Sequence, residues 1–191
     1  MGWSGAAALA AEGLSCLAPR GVVEALESTD PFKRLVKEGR LVPVPLLEKE
    51  SVQLGEGVQA TPYSVPHRAH GGTICFRIEG ESGSLLWAPD ADSFSGWETP
   101  LIELVEGVDR AYLDGTFWNR DDLPRRSIEV PHPFVGESIQ EMKRWGPSQR
   151  EKVRFVHLNH TNPLLKPNTP QRRALERAGF SVAKEGESFA L

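Results

Sequence analysis

The chain has 191 residues, of which 39% are apolar, so it can bury one sizeable core, and we predict a single domain over residues 1–191. A net charge of -4 without a basic cluster excludes the footprint of a nucleic-acid-binding protein, and no apolar run approaches a membrane span. Cys16 and Cys75 are too few and too far apart for a disulfide framework. We therefore expect a soluble cytoplasmic protein that engages neither nucleic acid nor membrane.

The first half of the chain predicts short helices and strands in alternation. Residues 5–14 are rich in alanine and predict a helix, residues 14–19 a strand, and residues 20–27 another helix. Residues 40–67 alternate in polarity but contain internal prolines, which favours edge strands and loops over a central strand. Residues 73–88 predict a β-hairpin around a Glu-Ser-Gly turn.

The second half predicts regular alternation of helix and strand. Helices are predicted over residues 100–106, 136–145 and 170–179, strands over 110–115 and 153–158, and a small hairpin over 180–191. Hairpins followed by such alternation indicate an α/β domain with mixed strands. The sequence contains neither a GxGxxG fingerprint nor a P-loop.

Histidines and aspartates recur directly after the apolar stretches. They are His67, Asp90, Asp92, Asp114, His132, His157 and His160. Because strand ends on one side of an α/β sheet line a common crevice, we expect these side chains to converge. Imidazole suits Zn or Fe, and carboxylates add charge or bridge two ions, so the pattern indicates a metal site.

Two other interpretations stay open on the residues alone. A single histidine at a strand end is more often hydrogen-bonded than a ligand, and an aspartate there is more often a turn-former or N-cap. The crevice can also bind a small molecule without metal, with Trp87, Trp97 and Trp118 lining it or packing in the core.

The order of the motifs resembles the second half of the metallo-β-lactamase superfamily. "VPHR", "PDAD", "LDGTFW", "VPHPFV" and "HLNHTNPLL" follow one another in the superfamily's order, and the match covers nearly the whole chain. The most specific motif, "HLNHTNPLL", is similar to the His-(Ile/Leu)-Asn-(Asn/His)-Thr-Asn-Pro of the branch that contains pyrroloquinoline quinone biosynthesis protein B.

This resemblance implies a fold and a set of site residues. The fold is a partial αββα sandwich with mixed sheets that lacks its first strands. His67, Asp90 and His157 match metal ligands, with Asp90 bridging two metals. His132 matches a proton-donating or substrate-contacting histidine, and Asp114 an acidic residue beneath the metal that orients its ligands. In the closing motif, His160 and Asn162 match residues that shape the loop.

The resemblance also implies an activity on a small-molecule substrate. The superfamily's default is hydrolysis, in which a metal-bound water attacks an ester, amide or phosphodiester, with Asp90 orienting it and His132 protonating the leaving group. Zn is the first choice of metal, with Fe or Mn as alternatives. The quinone-cofactor branch instead implies iron and oxidative hydroxylation of a tyrosine-derived precursor. "HPFV" departs from the His-Met-Pro expected there, which favours a hydrolase-like relative.

One departure from the superfamily bears on activity. No histidine precedes His67, so the signature His-x-His-x-Asp-His is absent from these 191 residues. We therefore expect an N-terminally truncated domain that binds metal weakly through three ligands. The alternative is a catalytically inactive remnant or a metal-free binding module. An exposed sheet edge would then pair with another chain or form a homo-oligomer.

Overall fold

The computed structural model describes residues 13–67, 72–122 and 131–191, which form two β-sheets and six α-helices. A parallel pair joins β1 (Leu14–Pro19) to β2 (Leu41–Leu46). A seven-stranded sheet has the order β3 (Val52–Gly55), β4 (Val58–Val65), β5 (Thr73–Glu79), β6 (Ser84–Ala88), β7 (Arg110–Asp114), β8 (Val153–Val156) and β9 (Ser181–Val182). The helices are α1 (Arg20–Ser28), α2 (Phe32–Lys37), α3 (Leu101–Glu106), α4 (Val135–Glu141), α5 (Pro147–Lys152) and α6 (Pro170–Arg177).

The strand directions in the larger sheet decide where the polar strand ends meet. Neighbours from β3 to β6 run antiparallel, and neighbours from β6 to β9 run parallel. Since β4 and β6 are each antiparallel to β5, they share the direction of β7 and β8. The carboxyl ends of these four strands therefore lie along one edge of the sheet.

The main core lies between this sheet and the helices that connect its parallel strands. Leu86, Leu113 and Phe155 from three adjacent strands are fully buried, and they belong to one apolar cluster with residues of α3, α4 and α6. Parallel strands connected by helices bury their side chains in this way. Because the three strands share this core and are hydrogen-bonded neighbours, the residues at their ends lie side by side. Within the described ranges, no helix is long and apolar enough to cross a membrane.

The predicted α/β fold with mixed sheets is confirmed. The strands at 14–19, 110–115 and 153–158 form close to their predicted bounds, as do the hairpin at 73–88 and the helices at 20–27, 100–106 and 170–179. Thr169 caps the last of these helices by accepting a hydrogen bond from the Arg172 N–H at 3.2 Å. Residues 5–12 of the predicted N-terminal helix lie outside the described residues, and Leu14 already belongs to β1.

Two details of the predicted secondary structure are wrong. The proline-containing β4 lies between β3 and β5 rather than at an edge. Pro62 is tolerated because β3 pairs with β4 only as far as Ala60, so the proline faces Lys49, whose N–H donates to the Pro62 carbonyl at 2.8 Å. The predicted C-terminal hairpin is also absent from the described structure. The two residues of β9 pair with β8, and Phe189 then packs against Arg110, with the guanidinium 4.4 Å from its ring centre.

The two cysteines differ sharply in accessibility, which gives a first testable prediction. Cys75 in β5 is fully buried, and this burial raises the pKa of its thiol to about 12, whereas Cys16 in β1 is half-buried. Because the thiolate is the reactive form, we expect iodoacetamide at pH 8 to alkylate Cys16 in the native protein and leave Cys75 unmodified. Peptide mass spectrometry checks this, with labelling in urea as the control in which both cysteines react. Rapid native labelling of Cys75 would contradict the packing of β5.

Candidate metal centre

The polar residues predicted at strand ends meet at the carboxyl edge of the larger sheet. Asp114 is the last residue of β7, His157 directly follows β8, and Asp90 lies two residues beyond β6. Together with His132, they offer ligand atoms that all lie within 4.8 Å of one another, a grouping that can hold a metal ion. His67 lies two residues beyond β4, with its Nε2 3.8 Å from Asp90 Oδ1.

Asp114 is fully engaged in hydrogen bonds. Its buried carboxylate accepts bonds at Oδ1 from the Thr116 N–H at 2.9 Å and the Thr116 hydroxyl at 2.7 Å. Its Oδ2 accepts bonds from His132 Nδ1 at 2.7 Å and from the Ala91 N–H at 3.2 Å. A carboxylate has about four acceptor sites. Asp114 therefore anchors its neighbours and has little capacity left to ligate an ion.

Asp90, unlike Asp114, has a carboxylate oxygen that is not hydrogen-bonded. Its Oδ1 is buried and, within the part of the chain that the structure describes, has no hydrogen-bond partner. This oxygen lies 3.8 Å from His67 Nε2 and 3.7 Å from His132 Nδ1. A buried carboxylate oxygen without a partner is costly unless a cation compensates it. The donor set thus fits a metal ion, and Asp90 Oδ1 is the oxygen that an ion would satisfy.

The three histidines around Asp90 each have Nδ1 within hydrogen-bonding distance of an oxygen. Each has Nδ1 held by an oxygen: that of His67 lies 2.6 Å from Asp92 Oδ1, that of His132 2.7 Å from Asp114 Oδ2, and that of His157 3.0 Å from Thr116 Oγ1. Metal-ligating histidines nearly always have one ring nitrogen held in this way, which leaves the other for the metal. His67 faces Asp90 Oδ1 with its Nε2 at 3.8 Å, whereas His132 faces it with the Nδ1 that is also bonded to Asp114, at 3.7 Å.

The environment of His132 favours its protonated form. The hydrogen bond to Asp114 raises the pKa of His132, burial opposes this, and the charges of Asp114, Asp90 and Asp92 raise the pKa further. The ring also packs edge-on against Phe117, with centroids 6.0 Å apart. Since its pKa is raised, His132 retains its proton to a higher pH than a free imidazole, which is the property of a general acid near neutrality.

Two residues shape the backbone around these side chains. A Cβ at Gly115 would lie 2.9 Å from both Phe155 Cβ and the Val156 carbonyl oxygen, so only glycine fits between β7 and β8 here. Asn162 is buried, and its amide donates to the carbonyl oxygens of Gly115 at 2.7 Å and Thr116 at 3.1 Å. Asn162 thus ties the loop after β8 to the loop after β7.

This role of Asn162 predicts a stability effect. Asn162→Ala removes both of these donors and also the Oδ1 that accepts from the Leu164 N–H at 2.9 Å, leaving buried backbone groups unpaired. We expect a loss of roughly 2–3 kcal/mol in the free energy of unfolding. Urea denaturation measures it, with Asn168→Ala at an exposed loop position as the control. Equal stability of the two variants would show that Asn162 does not tie the loops together.

Five of the predicted site residues lie together, and His160 lies apart from them on the surface. Asp90, Asp114, His132 and His157 form the cluster, and His67 adjoins it through Asp90. His160 is exposed, and its role in shaping the loop stays a prediction. Sequence reasoning missed Thr116, which contacts Asp114, His132 and His157. Its signal was a hydroxyl residue two positions after a buried aspartate, a spacing that favours a local side-chain bond.

The fold and these strand-end residues agree with a sequence comparison. Residues 4–158 match the family described as Beta-lactamase superfamily domain. The chain belongs to the metallo-β-lactamase superfamily. The carboxyl edge of the larger sheet, with its aspartates and histidines, is therefore the candidate metal centre of a metallo-β-lactamase domain.

Curated relatives within the superfamily carry the name coenzyme PQQ synthesis protein B. That of Pseudomonas fluorescens (strain Pf0-1) is 32% identical over 147 residues, which cover 69% of this chain and 46% of the relative. That of Nitrosococcus oceani is 31% identical over 166 residues, covering 80% of this chain and 48% of the relative. The chain thus spans about half the length of the curated relatives it matches.

Solved structures show the same fold. Zn(2+)-bound PqqB from Methylobacterium extorquens superimposes with a TM-score of 0.72 at 23% identity, covering 93% of this chain and 62% of PqqB. An isothiocyanate hydrolase from Delia radicum gut bacteria gives a TM-score of 0.59 at 12% identity, covering 99% of this chain and 72% of the hydrolase. At these identities the likeness establishes the fold of this chain.

Proposed function

We propose that this chain is a metal-dependent, hydrolase-like protein that acts on a small molecule containing an ester, amide or phosphodiester. One observation carries the proposal: the buried Asp90 Oδ1 has no hydrogen-bond partner among the described residues, and two imidazole nitrogens lie within 3.8 Å of it. A cation is the partner that this oxygen needs. Zn is the ion best suited to a mixed imidazole and carboxylate set, and Fe or Mn is the alternative.

Three residues would hold the ion and three others would orient them. His67 through Nε2, Asp90 through Oδ1 and His157 through Nε2 are the proposed ligands. Asp92, Asp114 and Thr116 supply the oxygens that fix imidazole rings, at 2.6–3.0 Å from the Nδ1 atoms. Asp114 belongs to this orienting group because its hydrogen bonds already occupy both of its oxygens.

His132 and Asp114 would provide the acid chemistry. A bound divalent cation supplies Lewis acidity and lowers the pKa of a water in the site. Asp90 would orient that water with its carboxylate. The hydrogen bond to Asp114 raises the pKa of His132 and so favours its protonated form, which would give a proton to the oxygen or nitrogen of the leaving group. Once neutral, His132 keeps its orientation because Nδ1–H still donates to Asp114.

Hydrolysis of chromogenic substrates by the zinc-loaded chain tests this function. Suitable probes are p-nitrophenyl acetate, a p-nitroanilide and bis(p-nitrophenyl) phosphate, each measured with and without a chelator. We expect chelator-sensitive turnover of at least one probe, and His132→Asn to lower kcat about 100-fold or more while zinc stays bound. A chain that binds zinc but turns over none of the three probes would overturn the hydrolase assignment.

A second function is favoured by the curated relatives, whose name is coenzyme PQQ synthesis protein B, at 31–32% identity. On this alternative, the same centre serves a step in the synthesis of coenzyme PQQ and holds iron. Expression of the chain in a bacterial strain lacking its own PQQ synthesis protein B tests this. Restored production of PQQ, lost again in Asp90→Asn, supports the role, and a folded chain that restores nothing contradicts it.

A further inference from the structure

We infer that Thr116 is a positioning residue that fixes the Nδ1-protonated tautomer of His157, so that Nε2 is the atom that His157 offers to the metal. The inference rests on the proposed metal centre and adds a residue to it. Thr116 Oγ1 is the contact that makes this assignment. It lies 2.7 Å from Asp114 Oδ1, 3.0 Å from His157 Nδ1 and 3.3 Å from His132 Nδ1.

The charge of the Asp114 carboxylate determines the direction of its bond to Thr116. A carboxylate oxygen in its ionised form can only accept, so the hydroxyl of Thr116 must donate its one hydrogen to Asp114 Oδ1. A hydroxyl that has donated its hydrogen can only accept from its remaining neighbours. Any hydrogen bond between Thr116 Oγ1 and an imidazole nitrogen must therefore have an N–H as donor.

The two imidazoles near Thr116 Oγ1 differ in the acceptors within their reach. His132 Nδ1 lies 2.7 Å from Asp114 Oδ2, so its N–H is already directed to the stronger, charged acceptor. His157 Nδ1 lies closer to Thr116 Oγ1 than His132 Nδ1 does, at 3.0 Å against 3.3 Å. The hydrogen on His157 therefore sits at Nδ1, and the lone pair of the neutral ring sits at Nε2.

Thr116 itself is held in place by its backbone hydrogen bonds. The residue is buried, its N–H donates to Asp114 Oδ1 at 2.9 Å, and its carbonyl oxygen accepts from Asn159 N–H at 3.0 Å and the Asn162 amide at 3.1 Å. His157, by contrast, is exposed and has a left-handed backbone with φ of 60°. An exposed ring gains its fixed orientation from the buried residue, which acts here as a preorganising acceptor.

A matched pair of substitutions tests the inference. Thr116→Val preserves the shape but removes the hydroxyl, and Thr116→Ser keeps the hydroxyl but loses the methyl. Nitrogen-15 shifts of His157 at pH 8 in the metal-free protein report its tautomer, with the signals assigned by their loss in His157→Ala. Zinc affinity is measured separately by competition with a chromophoric chelator, and circular dichroism confirms that each variant folds.

We expect the wild type and Thr116→Ser to show His157 protonated at Nδ1 and to bind zinc within about threefold of each other. Thr116→Val should show a mixture of tautomers and bind zinc roughly 10–100-fold more weakly. Persistence of the Nδ1–H tautomer in folded Thr116→Val, or equal losses of affinity in both variants, overturns the inference. Failure of the wild type to bind zinc would instead refute the metal centre, while the metal-free spectra still decide the role of Thr116.

Discussion

Asp114→Asn is expected to lower the free energy of unfolding by roughly 2–4 kcal/mol, a large share of the stability of a domain of this size. The carboxylate of Asp114 is fully buried and accepts four hydrogen bonds, from Thr116 twice, from Ala91 and from His132. An asparagine amide presents an NH₂ group to one pair of these donors. At least one backbone N–H, of Ala91 or Thr116, would therefore lose its acceptor inside the protein, and the charge that holds His132 would be lost. Urea denaturation followed by circular dichroism measures the change.

A matched aspartate provides the control. Asp109 lies at the amino end of β7, on the opposite edge of the sheet, and is exposed while its Oδ2 accepts from the Ser84 N–H at 2.9 Å. We expect Asp109→Asn to cost less than about 1 kcal/mol. If both variants lost the same small stability, Asp114 would not be the buried anchor of the site.

Asp90→Asn is expected to lower zinc affinity strongly without lowering the free energy of unfolding. It removes a carboxylate whose Oδ1 is buried and unpaired among the described residues, so the metal-free variant should be at least as stable as the wild type. Zinc affinity should nevertheless fall by more than about 100-fold, since loss of a ligand exceeds the effect of losing an orienting partner. Chelator competition measures the affinity, and urea denaturation of the metal-free proteins measures the stability.

This pairing of effects distinguishes a metal ligand from a structural aspartate. A structural role for Asp90 would give a less stable variant whose zinc affinity is unchanged. That result would contradict the ligand assignment and would favour the alternative that the neighbouring histidines are hydrogen-bonded residues and not metal ligands.

The convergence of the site residues could be predicted from the sequence, because it depends on the strand directions and on the apolar runs that define the strands. Asp90, Asp114 and His157 each follow such a run, and their strands are parallel neighbours. The contacts of Thr116 could not be predicted in the same way. Its bond to His157 spans 41 positions and depends on the rotamers of both residues. No local pattern encodes that distance.

The errors in the predicted fold have similarly specific causes. Pro62 suggested an edge strand, and β3 does stop pairing before it. The earlier residues of β4 nevertheless pair on both sides, because β3 pairs with β4 as far as Ala60. The C-terminal residues alternate in polarity like a hairpin, but Phe189 packs against the guanidinium of Arg110 instead. Both outcomes were decided by tertiary contacts that override local preference. The strands at 110–115 and 153–158 and the helices at 100–106 and 170–179 were predicted because each contains buried apolar residues. The polar helix α5 has no buried residue, and the sequence did not predict it.

The proposed centre depends on metal binding by this chain, which elemental analysis measures. The purified chain would be dialysed to equilibrium against buffer with a fixed excess of zinc, and Zn, Fe and Mn would be measured as the excess over that buffer, together with His157→Ala and the matched exposed control His160→Ala. The proposed centre predicts about one equivalent of metal in the wild type and in His160→Ala, and almost none in His157→Ala. Folded wild-type protein without metal, or equal metal in all three proteins, would contradict it.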